Sequence, residues 1–138
     1  MKILFICKSN QFRSQIAVAI YNQLTGTTDA FSAGTFVGSG SEPEGSIIEK
    51  YFQTSAFFEF MEEKGMYIRN NRTKKLVPEM LEKFDVIVSM AEESFIPNFL
   101  RNNKKTIWWE VENPILATRD ISEKTYNKIK ELIEKLIN

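Results

Sequence analysis

Lys2-Ile3-Leu4-Phe5-Ile6-Cys7-Lys8-Ser9-Asn10-Gln11-Phe12-Arg13-Ser14 opens with a short apolar run and breaks into a polar loop at Lys8. The run is nearly continuous rather than alternating, which suits a strand buried on both faces of a parallel sheet. Beyond the loop, Ile16, Ala17, Ala19, Ile20 and Leu24 recur at helical spacing and Gly26 supplies a stop, so the segment reads strand, loop, helix. Cys7 then ends the strand and Arg13 opens the helix. Both fall where a parallel α/β sheet binds its ligands, beyond the carboxyl ends of the strands.

The same alternation continues along the chain. Ala30 to Ala33 is expected to form a second strand, ended by Gly34 and a Gly/Ser-rich loop through Gly45. Ile47 to Lys64 reads as helix, or as two helices broken near Thr54 and Ser55, before Gly65. Met66 to Pro78 is polar and basic, and a short helix follows from Pro78 to Phe84. Asp85 to Met90 is a third buried strand, Glu92 to Asn102 a helix kinked at Pro97, and Thr106 to Val111 a fourth strand. A last amphipathic helix is expected from about Ser122 as N-cap, with Ile129, Leu132, Ile133 and Leu136 on one face. The expected fold is α/β, one domain over residues 1–138, with a four-stranded parallel sheet in flavodoxin-like order 2-1-3-4 and helices on both faces.

Composition narrows the function. Lys plus Arg and Asp plus Glu both number 18, so the formal net charge is zero and nothing draws the whole molecule to nucleic acid or a membrane surface. Recognition of an anion must be local. A single cysteine excludes an internal disulfide and points to a reducing, cytoplasmic setting in which a free thiol can serve as nucleophile. No apolar run approaches a membrane span, and no metal site or cofactor is expected.

The loop supplies that local recognition. Backbone N–H groups of Lys8, Ser9, Asn10, Gln11, Phe12 and Arg13 can wrap a phosphate-like oxyanion, aided by the helix dipole and the forked guanidinium of Arg13. The same field favours the Cys7 thiolate, to which Ser14 can donate a hydroxyl hydrogen bond. Asn10 is the residue that tolerates positive φ in a loop lacking glycine.

These residues form C-x-x-N-x-x-R-S at Cys7, Asn10, Arg13 and Ser14. With Ser32-Ala33-Gly34-Thr35, Asn71-Arg72, Phe84 to Met90 and Trp108 to Pro114, the chain resembles the low-molecular-weight protein tyrosine phosphatases and their arsenate-reductase relatives over nearly its full length. The resemblance implies in-line attack by Cys7 on phosphorus, oxyanion binding by Arg13, a phosphocysteine intermediate, and support from Asn10, Ser14, Asn71 and Arg72 around the loop. It also marks a departure. Asn113, before Pro114, stands where the family has an Asp that protonates the leaving oxygen, and an amide has no proton to give. Glu112 and Asp120 lie nearby in sequence. Ile115 and Leu116 replace aromatic residues that follow the family's proline.

The expected activity is therefore a cysteine-dependent phosphomonoesterase acting on a phosphorylated substrate, altered at the acid step. Two alternatives share the loop. One is an arsenate reductase that borrows an external thiol or redox partner, since the chain has no second cysteine. The other is a catalytically weak phosphate-binding pseudophosphatase. Tyr51, Phe52, Phe57, Phe58 and Phe60 are expected mainly in the core, with some left to cover the active-site loop or a partner; Arg69, Arg72, Lys74 and Lys75 are expected to form a solvated loop face, with Arg72 the one to watch as an anion-facing residue.

Overall fold

The computed structural model describes residues 1–138. Strand β1 (Ile3–Cys7) lies inside a four-stranded parallel sheet in the order β2-β1-β3-β4, with β2 at Ala30–Gly34, β3 at Val86–Ser89 and β4 at Thr106–Trp108. Its apolar run is buried throughout, as continuous rather than alternating hydrophobicity requires. Ile3, Phe5 and Cys7 join a core shared with helices α1 (Arg13–Thr25), α2 (Ala56–Glu63) and α4 (Arg119–Ile137). Leu4 and Ile6 join a smaller core on the opposite face with Leu76, Leu81 and Leu100. Helical segments thus cover both faces, and the expected strand order is the observed one.

Register places the chemistry at one edge of the sheet. Cys7 pairs with Gly34 and Ile6 with Ser89, so the loops leaving β1, β2 and β3 emerge together. Helix α1 ends at Gly26, whose φ of 67° lets it accept the left-handed closing position.

Several boundaries differ from the sequence expectation. The 47–64 segment takes its two-part form, a 3-10 turn at Ile48–Tyr51 and then α2, with residues 52–55 between them. Pro97 does not kink a helix but precedes one: a 3-10 turn at Glu93–Phe95 stops before it and α3 (Asn98–Arg101) starts after it, because proline disfavours helical geometry in the residue it follows. Strand β4 ends at Trp108, short of Val111. Helix α4 starts one turn earlier than expected, capped by Thr118, whose hydroxyl accepts the N–H of Ile121, while Ser122 is a fully buried position inside the helix.

Candidate active site

The loop after β1 is shaped by contacts that each need a particular residue. The carbonyls of Cys7 and Lys8 accept the N–H groups of Thr35 and Phe36 at 2.9 and 2.8 Å, tying the start of the loop to the end of β2. Gly34 makes that approach possible: a Cβ there would lie 2.7 Å from the Lys8 carbonyl and 3.0 Å from the Asn10 nitrogen. Asn10 turns the loop at φ 57°, the one non-glycine residue in the chain with positive φ. Its side chain is fully buried. Oδ1 accepts the Lys74 N–H at 2.9 Å, and Nδ2 donates to Ser14 Oγ at 2.7 Å. Ser14 Oγ in turn lies 3.0 Å from Cys7 Sγ; towards a thiolate, which has no proton, the hydroxyl is the donor.

Sequence reasoning missed Gln15. Its Nε2 donates to the Asn10 carbonyl and its Oε1 accepts from Asn71 Nδ2, each at 3.0 Å, so Asn71 supports Asn10 through Gln15 rather than directly. Lys8 also departs from expectation, since its ammonium sits over the rings of Phe95 and Phe36, 4.2 and 5.2 Å from their centroids. That leaves its backbone as the part available to an anion.

None of the backbone N–H groups from Ser9 to Arg13 donates to a protein acceptor. Buried or half-buried N–H groups are rarely left so, and a run of them at a helix N-terminus is the pattern of an oxyanion site. Arg13 completes it. Its side chain is 2% exposed, and Nη1 donates to the carbonyls of Met90 and Val111 at 2.6 and 3.1 Å while Nη2 donates to Glu92 Oε1 at 2.8 Å. Three of the five guanidinium donors are thereby used, leaving Nε–H and one Nη2–H as a fork that matches two oxygens of a phosphate.

Glu92 was not foreseen from sequence, and no local signal marks it. Burial alone would raise its pKa, but the hydrogen bond and charge of Arg13, its own backbone N–H and the Asn113 amide hold it below the usual carboxylate range. It is an anion committed to Arg13. Its second oxygen accepts Asn113 Nδ2 at 3.2 Å, which joins the β3 loop to the segment before α4.

A cavity of about 420 Å³ opens over the loop, lined by Cys7, Ser9, Gln11, Phe12 and Arg13, by residues 51–54 and by residues 113–118. Phe12 packs against Phe57 and Phe52, ring centroids 4.6 and 6.4 Å apart, so part of the aromatic cluster does brace the loop while Phe57, Phe58 and Phe60 fill the core. No Asp or Glu lines the cavity. Glu112 lies in the wall of a separate, smaller pocket and Asp120 in the first turn of α4. Arg72, the candidate anion-facing residue, is exposed and donates to the Gly45 carbonyl at 2.7 Å, outside the cavity: pairing across the Ile47–Arg72 bridge turns it toward the 45–47 loop. Ile115, fully exposed, and Leu116 form an aliphatic rim. Trp109 packs on Phe5 in the core and Trp108 is exposed; neither lines the cavity. No three His, Cys, Asp or Glu side chains come together to hold a metal ion. The arrangement gathers a free thiol, a run of unpaired N–H groups, the free edge of Arg13 and a wall without carboxylates around one cavity.

Comparison with known proteins bears on the family and the fold. The sequence model of the low molecular weight phosphotyrosine protein phosphatase family matches residues 2–138. Among solved structures, the low molecular weight protein tyrosine phosphatase from T. tengcongensis is 27% identical with a TM-score of 0.78, covering 99% of this chain and 97% of its own. The YwlE arginine phosphatase from Geobacillus stearothermophilus is 21% identical with a TM-score of 0.76, covering 98% and 89%. The tyrosine phosphatase Wzb from Escherichia coli K30, solved with sulphate, is 17% identical with a TM-score of 0.71, covering 98% and 94%. The last two show likeness of fold alone. No curated protein matches the chain.

Proposed function

The chain belongs to the low molecular weight phosphotyrosine protein phosphatase family, the cysteine-dependent phosphatases, and we propose that it is a phosphomonoesterase with an altered acid step. Cys7 Sγ attacks phosphorus, the P–O bond to the leaving group breaks, and the phosphoryl group passes to sulfur. The Ser9 to Arg13 N–H groups and the free fork of Arg13 hold the equatorial oxygens as charge shifts in the transition state. Ser14 stabilises the thiolate, both as nucleophile and as leaving group when water hydrolyses the phosphocysteine. Asn10, and Asn71 through Gln15, keep Ser14 in place. Asn113 occupies the general-acid position and gives no proton, so turnover depends steeply on the leaving group.

The observation that carries this reading is Cys7 Sγ at 3.0 Å from Ser14 Oγ, in a cavity it shares with the unsatisfied edge of Arg13. The test is turnover of p-nitrophenyl phosphate, whose good leaving group needs little acid help. Wild type should release p-nitrophenol and Cys7→Ser should not; equal turnover by both sinks the reading. Arsenate-dependent thiol consumption that disappears in Cys7→Ser, without ester hydrolysis, would instead place the chain with the arsenate reductases.

The natural ester is addressed by the rim. Ile115 and Leu116 offer aliphatic contact at the rim, while Phe12, Tyr51 and Phe52 line the same cavity with aromatic rings. Parallel assays with a phosphotyrosine peptide, an ester, and a phosphoarginine peptide, a phosphoramidate, decide whether the leaving atom is oxygen or nitrogen. The single free thiol supports a reducing, cytoplasmic setting.

A further inference from the structure

Resting on the phosphomonoesterase reading, we propose that the last turn of α2 is a double clasp: Glu62 and Glu63, through Arg69 and Arg119, hold the two walls of the cavity over Cys7 at the spacing that receives the leaving group. The walls are residues 51–54 and residues 113–118. The two glutamates are neighbours in sequence, and each takes a different arginine. Arg69 forks Glu62, with Nε donating to Oε2 at 2.7 Å and Nη2 to Oε1 at 2.8 Å, and its Nη1 reaches Glu49 Oε2 at 2.7 Å. Arg119 forks Glu63, with Nη1 and Nη2 at 2.7 and 2.6 Å from the two oxygens.

Each clasp ends beside a wall. Glu49 lies in the 3-10 turn Ile48–Tyr51, and its carbonyl accepts the N–H of Phe52 in the first wall at 3.2 Å. Arg119 directly follows Thr118, the last residue of the second wall. That wall has few other ties. Val111 and Ala117 rest on the core, but no backbone–backbone hydrogen bond involves residues 110–117. The Val111 carbonyl on Arg13 and the Asn113 amide on Glu92 hold the start of the segment, and Arg119 holds its end.

Single exposed ion pairs contribute little, but forked geometry and networks are the exceptions. Each arginine also lies over a buried phenylalanine of α2, Arg69 5.6 Å from the Phe58 centroid and Arg119 5.5 Å from that of Phe60. Both glutamates are held below the usual carboxylate range, first by the hydrogen bond from their arginine. Arg69, expected on a solvated loop face, is thus committed to two carboxylates, because α2 and the 3-10 turn fold against the loop that carries it. The phosphate loop is anchored separately, by Asn10 on Ser14, Gln15 on Asn10 and Glu92 on Arg13. Arg69 and Arg119 are therefore positioning residues for the leaving group and not for the phosphoryl group.

The experiment is steady-state kinetics on p-nitrophenyl phosphate, with inorganic phosphate as competitive inhibitor and Cys7→Ser as blank. Wild type is compared with Arg69→Gln, Arg119→Gln and the charge swap Glu63→Arg with Arg119→Glu. Each glutamine variant should raise KM about three- to fivefold, with kcat and the inhibition constant of phosphate within about twofold of wild type. The charge swap should bring KM back to within about twofold of wild type. A pair that served the fold alone would lower Tm and leave KM where it was. An unchanged KM in either glutamine variant, a phosphate constant that rises in step with KM, or a charge swap that recovers nothing each overturns this inference alone. Absence of any Cys7-dependent turnover by wild type overturns the phosphatase reading and the inference together.

Discussion

Glu92 holds Arg13 at 2.8 Å across 79 positions of sequence. The guanidinium is almost wholly buried, so its partner fixes which edge faces the cavity, and the depressed pKa of Glu92 records that attachment. Because the folded pKa lies below the ordinary 4.5, the charged form is the one the fold prefers. Its contribution is complete above 4.5 and is lost as pH falls through the lower folded value. Glu92→Gln should therefore lower stability by about 1 kcal/mol at neutral pH, allowing for solvent screening of a partly exposed carboxylate. The gap in Tm between wild type and Glu92→Gln should close on acidification below 4.5; a gap constant with pH would contradict the assignment.

Asn113→Asp would place a second carboxyl against Glu92, at the 3.2 Å contact now bridged by an amide N–H. Two carboxyls at that separation share a proton, which raises the proton affinity of the introduced carboxylate into the range a general acid needs. Turnover of phenyl phosphate should rise about 10- to 100-fold and acquire a falling alkaline limb. A kcat–pH profile measured with and without the substitution checks both outcomes.

Gly34→Ala would drive a methyl group into the Lys8 carbonyl and the Asn10 nitrogen, both backbone atoms with little room to yield. A loss of about 1–3 kcal/mol is expected in chemical denaturation, with phosphate affinity reduced as the loop shifts. Wild-type affinity in the variant would show that the loop does not depend on this contact.

Asn10 carries two separable roles, its φ of 57° and its bonds to Ser14 and Lys74. Asn10→Gly keeps the backbone freedom and loses the bonds; Asn10→Ala loses both. Both should lower kcat by about tenfold or more through Ser14, while Asn10→Ala should be less stable than Asn10→Gly by about 1 kcal/mol. Thermal melts beside kcat values separate the two.

What could be read from sequence was local. The strand, loop and helix around Cys7 were legible because continuous burial, the loop polarity and helical spacing all lie within two dozen residues. A parallel sheet covered on both faces followed from the alternation of strands and helices. Glu92 was invisible because its role exists only once β3 lies beside β1, and Gln15 because its bonds point back into the loop rather than along α1. Ser122 was mistaken for a cap since it and Thr118 are equally good N-cap residues one turn apart; burial of Ser122 against the core decides between them. Arg72 lies on the solvated loop face, donating to the Gly45 carbonyl away from the cavity, because loop composition gives charge but not direction.

The most direct test of the account is the covalent intermediate. Wild-type protein mixed with p-nitrophenyl phosphate and quenched in acid should yield a peptide carrying one phosphoryl group on Cys7, and Cys7→Ser should release no p-nitrophenol. Release of p-nitrophenol by wild type with no adduct, or with the phosphoryl group on another residue, would contradict it.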